Sequence, residues 1–299
     1  MPELKPVLRD TRLEVAGGII AAQEHKPDSC TKRVLMLHGW QDNSNSFRKL
    51  IELLPADWWI VAIDFPGHGL STPRSPGAAY HTIDWISDVL RVVQKLGWTK
   101  FTIIGHSMGA GVAQMFASIF TEMVEAVVAL DIVKQMSEVP GTLVKGIRMS
   151  LLAYTDPAKE KQQTESEIFN SKEEAIKWFA EKHKGNMTPE AAQILLERGL
   201  RQPQPGKFQI ARDPRLTFPP LYKIPLLHHR LVLKELKCPL LITKSLGAPG
   251  WESPEIDAEF LQLFQQNCAR FQRVEVEGLH HVHVDTPERV ADHVVRFLQ

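Results

Sequence analysis

Ser107 stands between two glycines in Gly105-His106-Ser107-Met108-Gly109, and this G-x-S-x-G spacing has a mechanical meaning. A nucleophile carried on a strained turn from a strand into a helix projects its hydroxyl outward, and glycine at both flanks lets the turn close without striking its neighbours. Serine is a weak nucleophile at its own pKa, so the chemistry requires a base, and the base requires an acid that orients it. Candidate bases are gathered in Gly278-Leu279-His280-His281-Val282-His283. His280 is expected to be the base, because it comes soonest after an apolar run that reads as the last strand. His281 and His283 are expected to face solvent or to support the loop. A metal site built on the H-H-x-H pattern is the rival reading, but it lacks an obvious carboxylate or cysteine partner nearby, and no metal is expected.

Two places offer the acid. Asp131 closes the apolar run at 125–130, and the loop after the run at 239–243 contains Glu252, Glu255 and Asp257. That loop carries no aspartate in its first turn, so Asp131 is preferred and Glu252 is the alternative; either preserves the order serine, acid, histidine. The competing role for Asp131 is that of a helix cap at the start of the next segment. The oxyanion that develops on the substrate needs two backbone donors. One is expected from Met108, directly after the nucleophile at a helix start, and the other from Trp40 in the turn His38-Gly39-Trp40. His38, Gly39, Gly105 and Gly109 are thus the supporting turn residues, and Trp40 could also wall the pocket. Asp64, in the run DFPGHGLS, reads as part of a structural turn.

These residues sit where an alternation of elements would bring them together. Apolar runs at 33–37, 59–63, 101–104 and 125–130 each end in a polar residue or glycine, and helical patterns at 46–54, 82–96 and 108–120 lie between them. Continuous apolarity indicates strands covered on both faces, in a mostly parallel sheet whose ligands bind at the strands' carboxyl ends. Segments 12–15 and 19–23 read as an opening hairpin. From 132 to 232 the rhythm changes to charge-rich helical stretches, at 171–183 and 189–200, with many prolines and little strand signal. Pro219-Pro220 introduces an apolar stretch at 221–227. Strands resume at 239–243 and 271–276, and an amphipathic helix at 287–298 closes the chain. The expected division is therefore a core from 1 to 131, a helical insertion from 132 to 232 and the rest of the core from 233 to 299.

Composition narrows the partners. The 299 residues carry 35 Lys+Arg against 35 Asp+Glu, a formal net charge of zero, which argues against a nucleic-acid or anionic-membrane binder. No run approaches the roughly 20 apolar residues of a membrane span, and the start MPELKPVLRDTRLEV has no apolar signal core. Cys30, Cys238 and Cys268 are too few and too scattered for a disulfide framework, which suits a reducing, cytoplasmic setting.

Taken in order, HGW, DFPGHGLS, GHSMGAG, ALD and GLHHVHVDTPERV resemble the α/β-hydrolase fold enzymes over nearly the whole chain. HGWQDNSNSFRKLIELLP, LLERGL and ARDPRL are similar more narrowly to the serine hydrolase-like (kraken-type) proteins of animals. The resemblance implies an eight-stranded sheet with helices on both faces and the insertion as a cap. It further implies Ser107 as nucleophile and His280 as base, seven residues before Pro287, as is usual in the family. Leu279 departs from it, since relatives carry a small residue there. So does the missing aspartate after 239–243; related esterases without it place the acid after the sixth strand, where Asp131 stands. Together these readings predict a cofactor-independent hydrolase of carboxylic esters that works through an acyl-enzyme, as a monomer or homodimer. Zero net charge favours small neutral or apolar esters. Thioesterase, lactonase and C–C hydrolase chemistry could use the same residues, and a non-catalytic ligand-binding role is the alternative from another class. A serine at the elbow disfavours epoxide hydrolases and haloalkane dehalogenases, whose nucleophile is a carboxylate.

Overall fold

The computed structural model describes residues 5–138, 141–218 and 220–299. The first four residues of the amino-terminal run and Pro219 of the Pro-Pro pair lie outside the described residues. Strands β1 (Arg9–Val15), β2 (Gly18–His25), β3 (Lys32–Leu37), β4 (Trp58–Ile63), β5 (Phe101–His106) and β6 (Val124–Leu130) alternate with α1 (Arg48–Ile51), α2 (Thr82–Leu96) and α3 (Met108–Ile119). The next stretch holds α4 (Leu143–Tyr154), α5 (Pro157–Ser166), β7 (Ile168–Phe169), α6 (Lys172–Lys182), α7 (Pro189–Gly199), β8 (Leu200–Gln204), β9 (Lys207–Ile210) and α8 (Leu226–Leu233). β10 (Leu240–Ser245), α9 (Pro254–Asn267), β11 (Phe271–Val276), α10 (Val282–Asp285) and α11 (Glu288–Leu298) complete the chain.

The main sheet has eight strands in the order β1-β2-β4-β3-β5-β6-β10-β11. β1 and β2 form the expected hairpin and join antiparallel to β4, while the six strands from β4 to β11 run parallel. Side chains leave a strand alternately to its two faces, so an apolar run feeds two cores. In β3, Leu35 and Leu37 pack in the cluster with α2, α3 and α9, whereas Val34 and Met36 pack in the cluster with α1 and α11. The expected α/β class and helices on both faces are therefore present. The expected helix at 46–54 is shorter than its pattern, being a 3-10 turn at Ser44–Phe47 followed by α1.

Between β6 and β10 the expectation of little strand structure is corrected: β7, β9 and β8 form a second, antiparallel sheet of three strands. Its signal was hidden because β7 has two residues and β8, LRQPQ, contains a proline and is exposed along almost its whole length. Alternation needs a buried face to be visible. This region has its own apolar cluster, including Phe169, Phe179, Leu195, Leu196 and Ile210. α8 packs on α3, and its Leu233 belongs to the main core.

Candidate active site

Strand β5 leads directly into α3, and Ser107 is the residue between them. Its backbone is left-handed, with φ +49° and ψ −117°. Among the described residues three non-glycine residues have positive φ, Gln41, Ser107 and Asp131, and all three follow strands of the parallel sheet closely. Such conformations cost on the order of 1–3 kcal/mol each and persist only where the surroundings impose them. Those surroundings are visible at the flanking glycines. A Cβ on Gly105 would lie 2.5 Å from the backbone nitrogen and Cα of Ala110, and one on Gly109 would run into the carbonyl oxygen of Leu37. The close approach of β3, β5 and α3 that exposes the serine thus depends on both glycines. Met108 is the first residue of α3, so its amide has no acceptor within the helix.

The turn after β3 lies beside this elbow. His38 is buried and bonded on both sides: Nδ1 donates to Gly39 O at 2.7 Å, and Nε2 accepts from Phe65 N at 2.9 Å. Burial lowers its pKa, which matches a neutral ring holding two loops in register. Gln41 Nε2 donates to Leu216 O at 2.9 Å, and the Asn43 and Asn45 amides donate to Leu195 O and Ile194 O. The polar run after His38-Gly39 therefore clamps the region between β6 and β10 to the sheet. Asp64 accepts from Ser44 N, Leu70 N and Arg198 Nε, all at 2.8–2.9 Å, which makes it part of a structural turn.

Asp131 directly follows β6, and its side chain is fully buried. Oδ2 accepts from His280 Nδ1 at 2.5 Å; Oδ1 accepts from Ser245 N at 2.7 Å and Lys244 Nζ at 3.2 Å. It caps no helix. Burial lowers the pKa of His280, opposed by the Asp131 hydrogen bond. Glu252 is engaged elsewhere, accepting from the buried Lys134 Nζ and from Ser137 N, each at 2.5 Å. Glu255 and Asp257 lie in the first turn of α9. The Trp251 ring stands 4.8 Å from that of His280.

Ser107, Met108, Gly39, Trp40 and His280 all line one cavity of about 540 Å³. Trp85, Ile132, Leu216, Phe218, Ile224 and Trp251 give it mostly apolar walls. Of the two roles expected for His281 and His283, facing solvent or supporting the loop, their burial excludes the first. Sequence reasoning missed Asp42 and His106, which meet His281 here. Asp42 Oδ2 is 3.4 Å from His106 Nδ1 and 3.2 Å from His281 Nε2. Burial would raise the Asp42 pKa, but His281 and His106 hold it well below the usual carboxylate range. Burial would lower that of His281, but Asp42 raises it, whereas burial and the neighbouring histidines take His106 down to about 4. No local pattern joins residues so far apart in the chain, so only the fold reveals the group.

Comparison with known proteins agrees with this architecture. Residues 32–165 match the family model described as the alpha/beta hydrolase fold. The chain is 37% identical over 295 residues to a serine hydrolase-like protein of Danio rerio, covering 96% of this chain and 87% of the relative. It is 33% identical over 282 residues to serine hydrolase-like protein 2 of Homo sapiens, covering 89% and 86% of the two chains. Among solved structures, it is similar to a hypothetical protein of Pseudomonas aeruginosa PAO1, with TM-score 0.82, 29% identity and 97% coverage of both chains. A thioesterase domain from the curacin biosynthetic pathway shares the fold, with TM-score 0.81, 20% identity and coverage of 98% and 100%. No helix among the described residues is long and apolar enough to cross a membrane.

Proposed function

The chain belongs to the serine hydrolase-like family of α/β-hydrolases, and from that premise we propose that it cleaves small neutral or apolar carboxylic esters through an acyl-enzyme. In this reading Ser107 is the nucleophile, His280 the base and Asp131 the acid. The observation that carries it is the 2.5 Å bond from His280 Nδ1 to Asp131 Oδ2 at the cavity that Ser107 also lines. With Nδ1 committed to the carboxylate, Nε2 is the nitrogen left to accept the serine proton.

The serine oxygen attacks the acyl carbon while His280 takes its proton. The tetrahedral oxyanion is held by the amides of Met108 and Trp40, and the positive end of the α3 dipole adds to the effect. Collapse expels the alkoxide, which takes the proton back from His280. A water, deprotonated by His280, then releases the acid and restores the serine. No cofactor enters these steps. The apolar walls support a neutral acyl group, and segment 132–232 would act as the cap, since Leu216 and Phe218 from it line the cavity. An active-site fluorophosphonate tests the reading: it should form one adduct, on Ser107, and Ser107→Ala should lose both adduct and esterase activity. An unlabelled wild type, or a fully active Ser107→Ala, would overturn it.

A further inference from the structure

Beside the His280–Asp131 pair, three side chains that this mechanism does not use converge from separate parts of the chain. Asp42 comes from the loop after β3, His106 ends β5, and His281 caps α10. Their side chains are 4%, 1% and 7% exposed, in that order, and all three line the catalytic cavity.

The hydrogen bonds decide which atoms are left over. His106 Nε2 donates to His280 O at 3.0 Å, and His281 Nδ1 donates to Asn186 O at 3.1 Å. The remaining nitrogens, Nδ1 of His106 and Nε2 of His281, both lie toward Asp42. With neutral rings, three acceptors face one another with no donor among them. A proton on His281 satisfies that ring and Asp42 but leaves His106 Nδ1 buried without a partner. A divalent cation satisfies all three at once.

The spacing suits such an ion. Ligands about 2.0–2.1 Å from a tetrahedral zinc are about 3.3 Å apart. Two of the three edges here measure 3.2 and 3.4 Å, and all three donor atoms lie within 4.8 Å of one another. Outward hydrogen bonds from the second ring nitrogen to backbone carbonyls are the means by which proteins orient metal-binding histidines. Gly39 keeps one side of the group open, since a Cβ there would stand 2.8 Å from both Asp42 Oδ2 and His106 Nδ1.

We propose that Asp42, His106 Nδ1 and His281 Nε2 bind a divalent transition-metal ion of the zinc type, with its fourth position toward the cavity, and that occupancy turns hydrolysis off. Two imidazoles and one carboxylate suit zinc or cobalt, whereas magnesium and calcium take oxygen ligands. The ion and its fourth ligand would stand where ester and water must approach Ser107, whose neighbour His106 is itself a ligand. The inhibitory half rests on the ester-hydrolase reading; the binding half does not.

Cobalt(II) added to chelator-treated protein tests the site directly. One equivalent should produce the visible ligand-field absorption of a tetrahedral ion, in wild type and in Ser107→Ala alike, and zinc should displace it. The near-isosteric variants Asp42→Asn and His281→Gln, checked for folding by circular dichroism, should bind at least about 100-fold more weakly. No absorption in wild type, or unchanged affinity in both variants, would overturn the site. With an acyl ester, zinc should slow wild type at least about tenfold, while the ratio of rates with and without zinc stays near one in Asp42→Asn. Taking that ratio within each protein removes any change in basal rate. Cobalt binding without inhibition would overturn the inhibitory half alone. A wild type that hydrolyses no ester would refute the hydrolase reading and leave the spectrum to judge the site.

Discussion

Replacing Asp131 by asparagine tests the acid most sharply, because the surrounding hydrogen bonds dictate how the amide must sit. In the wild type, Oδ1 is held by the Ser245 amide at 2.7 Å and by Lys244 Nζ at 3.2 Å, both of which donate, while Oδ2 accepts from His280 Nδ1. An asparagine keeps its carbonyl oxygen toward the two donors and must turn its NH2 toward His280. Two donors cannot share that bond, so the imidazole moves its proton to Nε2, the atom that should receive the serine proton. The fold survives, since the side chain is near-isosteric and the Ser245 bond remains. The base, however, is in the wrong tautomer. The same exchange in the Ser-His-Asp triad of serine proteases lowers kcat by about 10⁴-fold, equivalent to about 5.5 kcal/mol of barrier. A loss between about 10³- and 10⁴-fold is expected here. It would be read as kcat for a chromogenic acyl ester in chelator-treated buffer, with thermal melting as the control for folding. Retention of activity within about tenfold, at unchanged melting temperature, would refute Asp131 as the acid.

Glu252→Gln supplies the counterpart: it leaves the buried Lys134 charge without its carboxylate, so it should cost about 3 kcal/mol of stability in denaturant titration while kcat stays within about threefold. An equal collapse of kcat would transfer the acid to Glu252. Gly105→Ala drives a Cβ to 2.5 Å from Ala110 backbone atoms, and should lower the melting temperature by several degrees and reduce activity together. An unchanged melting curve would contradict the packing of α3 against β5. Ile224→Trp narrows an apolar wall of the cavity, so kcat/KM should fall about tenfold for long acyl chains and little for acetyl esters. A uniform loss across chain lengths would mean that this wall does not bound the acyl group.

Parts of the site were legible because their signals are local. The elbow requires glycine on both sides of Ser107 within five consecutive residues, Asp131 follows β6 directly, and His280 lies in the loop just after β11. Continuous apolar runs likewise marked the parallel strands, since the side chains on the two faces of the sheet pack into two apolar clusters. The short antiparallel sheet of β7, β9 and β8 was not legible, because β8 is largely exposed and lacks a buried face to give it a period.

Residues whose meaning depends on distant partners divide the two kinds of knowledge most clearly. Residue type and spacing specified the hydrolase fold and the strained turn at Ser107, and placed the candidate acid and base after it in the chain. Tertiary structure separates the two candidate acids: Glu252 is held by Lys134 from 118 residues away, and the Asp131 carboxylate meets His280 across 149. It alone assembled Asp42, His106 and His281, where Asp42 and His281 are 239 residues apart. A contact between remote positions imposes no periodicity on either one. Its chemistry becomes visible only when the sheet brings the ends of β3 and β5 and the loop after β11 to one cavity.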